Sequence, residues 1–215
     1  MSVEVKTCGL STEESVAAAV AGGAKYVGFV FYPPSPRAVT PERAAELCRG
    51  IPSGVVKTGL FVDADDLLIA QVLNRAPLDL LQFHGKESPE RVADVKRRFG
   101  RPIMKAIHVA IAEDLAAVDG YKDVADWILF DAKPPKTANA LPGGNGLAFD
   151  WSLLGGKTWP FRWMLGGGLN AENLAEAVAA THATVVDVSS GIESKPGVKD
   201  LGRIAAFLEA ARRAG

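Results

Sequence analysis

The sequence predicts an α/β protein of one domain, residues 1–215, folded as a single (β/α)8 TIM barrel. Three observations point there. Short apolar, β-branched runs alternate about eight times with longer Ala/Leu/charged stretches, the alternation that gives parallel strands joined by crossover helices. The chain has 215 residues, 48% of them hydrophobic, which suits one barrel-sized core. The first strand runs into CGLSTEE rather than a G-x-G-x-x-G turn, which disfavours an open dinucleotide-binding sheet.

The strand segments, in order, are VEVKTC, KYVGFVF, VVKTGLFV, LDLLQFH, PIMKAIHV, DWILFD, RWMLGGG and TVVDVSS. Between them lie helical patterns such as STEESVAAAVAGG, TPERAAELCRG, DADDLLIAQVLNRA and SPERVADVKRRFG. Their starts carry cap donors: Ser11 or Thr12 with Glu14, Thr40 before Pro41, and Ser88 before Pro89. Gly23, Gly50 and Gly100 sit where such helices stop. The fifth helical stretch, IAEDLAAVDG, is short. The sixth, KPPKTANALPGGNGLAFDWSLLGG, reads mostly as loop with one helical turn.

Charge and composition exclude several classes of partner. A net charge of −1 and a pI of about 6.3 leave no basic field for nucleic acid or an anionic membrane. A local basic pocket for a small anion remains compatible with both. No apolar run approaches the ~20 residues of a membrane span, and MSVEVKTC lacks a signal-peptide apolar region. The expectation is a soluble cytoplasmic protein. Cys8 and Cys48 are read as reduced thiols, a single bridge between them being the alternative.

Barrel chemistry sits in the loops that follow the strands. Here those loops begin at Cys8, at FYPPSPR with Arg37, at Asp63, His84, His108 and Asp131, at glycines 166–168, and at Ser189, Ser190 and Gly191. The last two form the usual phosphate position of such barrels. LGGGLNAENLAEAV brings strand, glycines and helix together, so backbone N–H groups of Gly167 and Gly168 can face an anion. DVSSGIES adds Ser190 and Gly191. Tight turns alone would also use these glycines.

Strand alternation puts Glu4, Lys6 and Cys8 on one face. Cys8 is then either a reactive thiol at the barrel mouth or a small buried hydrophobe. Cys48, on an amphipathic helix, fits the second role. Asp131 shares a face with Trp127 and Leu129, and is a mouth carboxyl or a loop cap. Asp187 lies one layer below Ser189. In a closed barrel it neighbours the first strand and can pair with Lys6, a structural role. His84 and His108 show no metal-ligand spacing and read as polar loop residues or as residues that support a neighbouring site group. Arg37, on a proline-stiffened loop, either grips a carboxylate in bidentate fashion or is a solvated surface residue.

Taken together, VKTCG, GFVFYPPSPR, GLFV, QFHG, FDAK, GGNGLAFDW, LGGGLNAENL and VDVSSGIESKPGVKD, in this order, resemble the phosphoribosylanthranilate isomerase family of tryptophan biosynthesis from end to end. Asn145, where that family more often has threonine, and Thr7, where a bulky aliphatic is common, depart from its pattern. The resemblance implies an Amadori rearrangement. N-(5-phosphoribosyl)anthranilate becomes 1-(2-carboxyphenylamino)-1-deoxyribulose 5-phosphate, with Cys8 as general base and Asp131 as general acid. It also implies that Arg37 meets the anthranilate carboxylate and that the two late loops hold the phosphate of a phosphosugar. Neither cofactor nor metal is implied, and a monomer or homodimer is.

Three rivals share parts of this pattern. The histidine-pathway aminoaldose isomerase uses two aspartates, against which Cys8 argues. Indole-glycerol-phosphate synthase wants catalytic lysines and glutamates at strand ends, where only Lys57 and Lys105 come near. A non-catalytic phosphate-binding barrel would leave Cys8 free to change.

Overall fold

The computed structural model describes residues 3–135 and 141–215. Eight parallel strands close into a barrel in sequence order: β1 (Glu4–Cys8), β2 (Tyr26–Phe31), β3 (Val56–Phe61), β4 (Leu80–Phe83), β5 (Ile103–Val109), β6 (Trp127–Ala132), β7 (Arg162–Leu165) and β8 (Val185–Val188). Seven strands fall within the expected segments, and β6 runs one residue past DWILFD, to Ala132. Closure brings β8 beside β1, with Lys6 in register with Asp187.

The helices form the outer layer: α1 (Glu13–Ala21), α2 (Pro41–Cys48), α3 (Asp66–Arg75), α4 (Pro89–Phe99), α5 (Leu174–Thr181) and α6 (Leu201–Arg213). Thr40 and Ser88 cap α2 and α4 through their side chains, each followed by proline. Thr12 caps α1, but its reciprocal partner is Ser15, not Glu14. Gly100 ends α4 in the left-handed conformation, φ 60°. The weak fifth helix is a 3-10 helix over Ala112–Gly120, and the sixth is one 3-10 turn, Trp151–Leu153.

The apolar residues make two cores. The larger lies between strands and helices, with Phe29, Phe61, Phe83 and Phe130 fully buried. The smaller fills the barrel interior with Tyr26, Leu80, Met104, Trp127, Leu129 and Met164. It seals the barrel from below, so that polar side chains collect at the C-terminal mouth. Beyond β8, a short antiparallel hairpin of β9 (Glu193–Lys195) and β10 (Val198–Lys199) leads into α6. The sequence reading contained no such hairpin. Among the described residues no helix is long and apolar enough to cross a membrane.

Candidate active site

The strand ends open into one pocket, whose empty space counted out to open solvent is about 790 Å³. Cys8, Arg37, Asp131, Gly167, Gly168 and Ser190 all line it. Gly191 does not line it. A Cβ there would collide with the Leu169 carbonyl oxygen, so Gly191 lets the loop after β8 lie against the loop after β7.

Cys8 is a free, buried thiol at the end of β1. Cys48 is also free and sits in the outer core on α2. Below Cys8, Lys6 is completely buried and its Nζ donates to Asp187 Oδ1 at 2.8 Å. This is the pair that barrel closure predicts. Burial pushes the Cys8 thiol up, and the Lys6 ammonium opposes that shift. The thiol is also held sterically. A Cβ at Gly28 on β2 would stand 2.9 Å from Cys8 Sγ and 3.2 Å from its Cα. Gly28→Ala is therefore expected to displace the thiol and lower kcat about 100-fold, as an ångström-scale misplacement does. Steady-state kinetics beside a thermal melt would read this, the melt moving little.

Asp131 ends β6 with its carboxyl in the mouth. His84 Nε2 lies 2.9 Å from Asp131 Oδ2, and His84 Nδ1 lies 2.9 Å from Gln82 Nε2. With the Gln82 amide donating to Nδ1, Nε2–H of His84 is the group that donates to Asp131. The Ala132 amide donates to Asp131 Oδ1 at 2.9 Å. Burial pushes Asp131 up, but the His84 hydrogen bond and the imidazoles of His84 and His108 outweigh it. The unliganded site thus holds Asp131 below the usual carboxylate range, as an anion. Gln82 and His84 alternate along one strand face, yet His84 and Asp131 stand 47 residues apart, so the contact exists only in the closed barrel. His108 joins them. Donor atoms of His84, His108 and Asp131 all lie within 4.8 Å of one another, a grouping absent from the sequence spacing. These three could ligate a cation, although His84 and Asp131 already satisfy each other by hydrogen bonding.

Arg37 is buried, not a solvated surface residue. Its Nε and Nη2 grip Glu193 at 2.7 and 2.8 Å, and Nη2 also donates to the Gly144 carbonyl at 3.0 Å. The bidentate edge of the guanidinium is thus used by β9, and among the described residues Nη1 has no hydrogen-bond partner. Burial pushes Glu193 up, but Arg37 and Lys199 overcome it and keep the carboxylate ionised. Lys199 Nζ donates to Glu193 Oε1 and to the Ser189 carbonyl, both at 2.8 Å. One buried carboxylate thereby ties the Arg37 end of the pocket to the loop after β8. Sequence reasoning missed Glu193 and Lys199, because both lie in a polar stretch without strand or helix periodicity.

The loop after β7 lines the pocket with backbone. Gly167 and Gly168 have φ of +84° and +66°, a conformation that favours glycine. Among the described residues neither of their amides has a protein acceptor. A Cβ at Gly168 would also meet the Leu147 and Ala148 backbone, so the glycine serves loop packing and anion approach together. Asn173 Nδ2 donates to the Gly168 carbonyl at 3.0 Å, and Asn170 Oδ1 accepts from the Glu172 and Asn173 amides ahead of α5. Over the pocket, Gly143 and Gly144 lie against His84 and Arg37 with no room for a Cβ. Asn145 closes that loop by donating to the Leu141 carbonyl at 2.8 Å.

Lys57 and Lys105 are not in the pocket lining. Lys105 Nζ is held by Glu87 at 3.0 Å and by the Gly85 carbonyl at 2.7 Å. Lys57 pairs with Asp79 at 2.9 Å. Neither lysine that the lyase reading names therefore reaches the pocket; Lys133, which does line it, is paired with Asp114 at 2.6 Å.

Comparisons with known proteins show the family and the barrel. The family described as "N-(5'phosphoribosyl)anthranilate (PRA) isomerase" matches residues 5–210. The N-(5'-phosphoribosyl)anthranilate isomerase of Rhodospirillum centenum is 59% identical over 211 residues, covering 98% of this chain and 99% of that protein. The crystal structure of phosphoribosyl anthranilate isomerase from Thermotoga maritima superposes with a TM-score of 0.88 at 36% identity, over 98% of this chain and 99% of that one. A phosphoribosyl anthranilate isomerase in complex with reduced 1-(o-carboxyphenylamino)-1-deoxyribulose 5-phosphate superposes with a TM-score of 0.83 at 34% identity, over 98% and 99% of the two chains. Matched almost end to end in sequence and in barrel, the chain belongs to the N-(5'-phosphoribosyl)anthranilate isomerase family.

Proposed function

We propose how this site carries out the family's reaction, the conversion of N-(5'-phosphoribosyl)anthranilate to 1-(2-carboxyphenylamino)-1-deoxyribulose 5-phosphate in tryptophan biosynthesis. The observation that carries the reading is spatial. A thiol and a carboxyl open from strand ends into one pocket that a guanidinium and a glycine-rich loop also line.

The substrate has matching groups in matching order. Its phosphate meets the amides of Gly167 and Gly168 and the hydroxyl of Ser190. Its anthranilate carboxylate meets Nη1 of Arg37. The sugar then lies between Cys8 and Asp131. Asp131 protonates the furanose ring oxygen as the C1′–O bond breaks, and the amine nitrogen's lone pair forms the C1′=N bond. Cys8, as thiolate, removes the C2′ proton, and the C–H electrons neutralise the iminium to give an enolamine. Tautomerisation protonates C1′ and leaves the ketone at C2′. The sequence is redox-neutral, and the substrate's own nitrogen is the electron sink, so no cofactor or metal takes part. Asp131 must gain a proton for its step. The substrate brings two anionic groups and displaces water, and both raise a neighbouring carboxyl's pKa. His84 holds that carboxyl in place.

Residues 1–215 act as one catalytic domain in this reading, cytoplasmic and either monomeric or homodimeric; a dimeric form is recorded for the Thermotoga maritima protein. The test is turnover of freshly made phosphoribosylanthranilate by the purified chain in the presence of a chelator. Chelator-insensitive product formation is expected. Binding without turnover would return the chain to the non-catalytic reading.

The phosphate end has its own test. Inorganic phosphate should compete with substrate, and Ser190→Asp should raise KM about 10- to 100-fold by placing a like charge beside the phosphate, with a smaller change in kcat. Ser190 has ordinary backbone geometry, so this change avoids the strain that any side chain at Gly168 would add. An unaltered KM would move the phosphate elsewhere.

A further inference from the structure

The interior of this barrel contains a charge pair that the reaction outlined above does not use. Beneath the mouth the inner core is aromatic and aliphatic, yet Lys6 is wholly buried in it, with Asp187 beside it only 11% exposed. A pair of similar-sized apolar side chains would fill that space without the desolvation cost of two charges. Alternation along β1 places Lys6 directly below Cys8, and register places it opposite Asp187. An ammonium has three N–H donors. Among the described residues the one hydrogen bond that Nζ makes is to Asp187 Oδ1, which leaves two of its donors unused on the strand face that Cys8 shares.

We propose that Lys6 is a positioning residue for the base: held from one side by Asp187, its ammonium faces Cys8 and stabilises the thiolate that takes the C2′ proton. The proposal rests on Cys8 being that base. The charged groups acting on Cys8 come from three elements. Lys6 on β1 and Lys199 on β10 favour the thiolate, whereas Asp187 on β8 opposes it. The neighbouring β2 contributes only Gly28 at this level. Lys6 outweighs Asp187 at the sulfur. The same contact acts in return: burial opposes the charge on Lys6, but Asp187 and Cys8 more than compensate and keep it an ammonium. Asp187 thus anchors the cation and repels the thiolate together.

This double role gives the two partners opposite signs, which a purely structural pair would not. The experiment is a pH titration of Cys8 in the free protein by thiolate ultraviolet absorbance and by iodoacetamide alkylation rate, in a Cys48→Ser background. Lys6→Met should raise the Cys8 midpoint by one pH unit or more and slow alkylation at neutral pH at least tenfold. Asp187→Asn should lower the midpoint. If Lys6→Met does not fold, the neutral pair Lys6→Met/Asp187→Asn reads the same charge, and its midpoint should still rise. An unmoved midpoint in a folded Lys6 variant, or shifts of the same sign in the two single variants, would overturn the proposal. The titration reads the thiol whether or not it is the base. An active Cys8→Ser enzyme would therefore sink the catalytic reading, and an unmoved titration would sink the role of Lys6.

Discussion

Cys8→Ser is expected to lower kcat by about two to four orders of magnitude while leaving KM and the melting temperature close to normal. That is the scale of a lost general base, and a hydroxyl is a far weaker base than a thiolate. The substitution is nearly isosteric at a buried position against Gly28, so packing should survive it. Cys48→Ser is the matched control. Cys48 sits in the outer core on α2, where burial pushes its thiol up to about 11, and its loss should leave turnover intact. A Cys8→Ser enzyme that keeps more than about a tenth of the wild-type rate would remove Cys8 from the role of base.

The second large effect separates the two aspartates of the mouth. Asp131→Asn keeps the size of the side chain and one acceptor for His84 but removes the transferable proton. It should lower kcat by about two to four orders of magnitude with a nearly unchanged melt. Asp187→Asn should act first on stability, because it weakens the hold on a fully buried ammonium. Breaking such a pair costs about 3–5 kcal/mol, of the order of 10 °C in Tm for a chain of this size. Residual turnover in Asp187→Asn should remain well above that of Asp131→Asn. The reverse ranking, with Asp187→Asn inactive at an unchanged melt, would assign the acid to Asp187 and align the site with the two-aspartate, histidine-pathway chemistry.

The pattern of what the sequence discloses follows from which interactions are local. The strands are short apolar runs, several of them buried on both faces, so they read directly from the chain, as do the caps at Thr40 and Ser88. Cys8, Asp131 and the late glycines are legible because each falls at a strand end, and strand ends of one barrel converge. The Lys6–Asp187 pair needed closure as well as periodicity, because its members are 181 residues apart. Glu193 was not legible. Its partner Arg37 is 156 residues away, and it sits on a three-residue strand in a stretch of glycine, lysine and proline. His84 was seen but not understood, because its function depends on β4 and β6 flanking β5. The difference at α1, where Ser15 rather than Glu14 completes the capping box, is one residue of helical phase.

The most direct measurement is a crystal structure of this chain with reduced 1-(o-carboxyphenylamino)-1-deoxyribulose 5-phosphate, the compound bound by a structural relative. It should show Cys8 Sγ beside C2′, Asp131 within hydrogen-bond distance of the former ring oxygen, the carboxylate on Arg37 Nη1, and the phosphate on the amides of Gly167 and Gly168. A sugar turned so that Asp187 contacts the reacting carbons, or a phosphate lodged away from those glycines, would contradict the assignment of base, acid and cradle together.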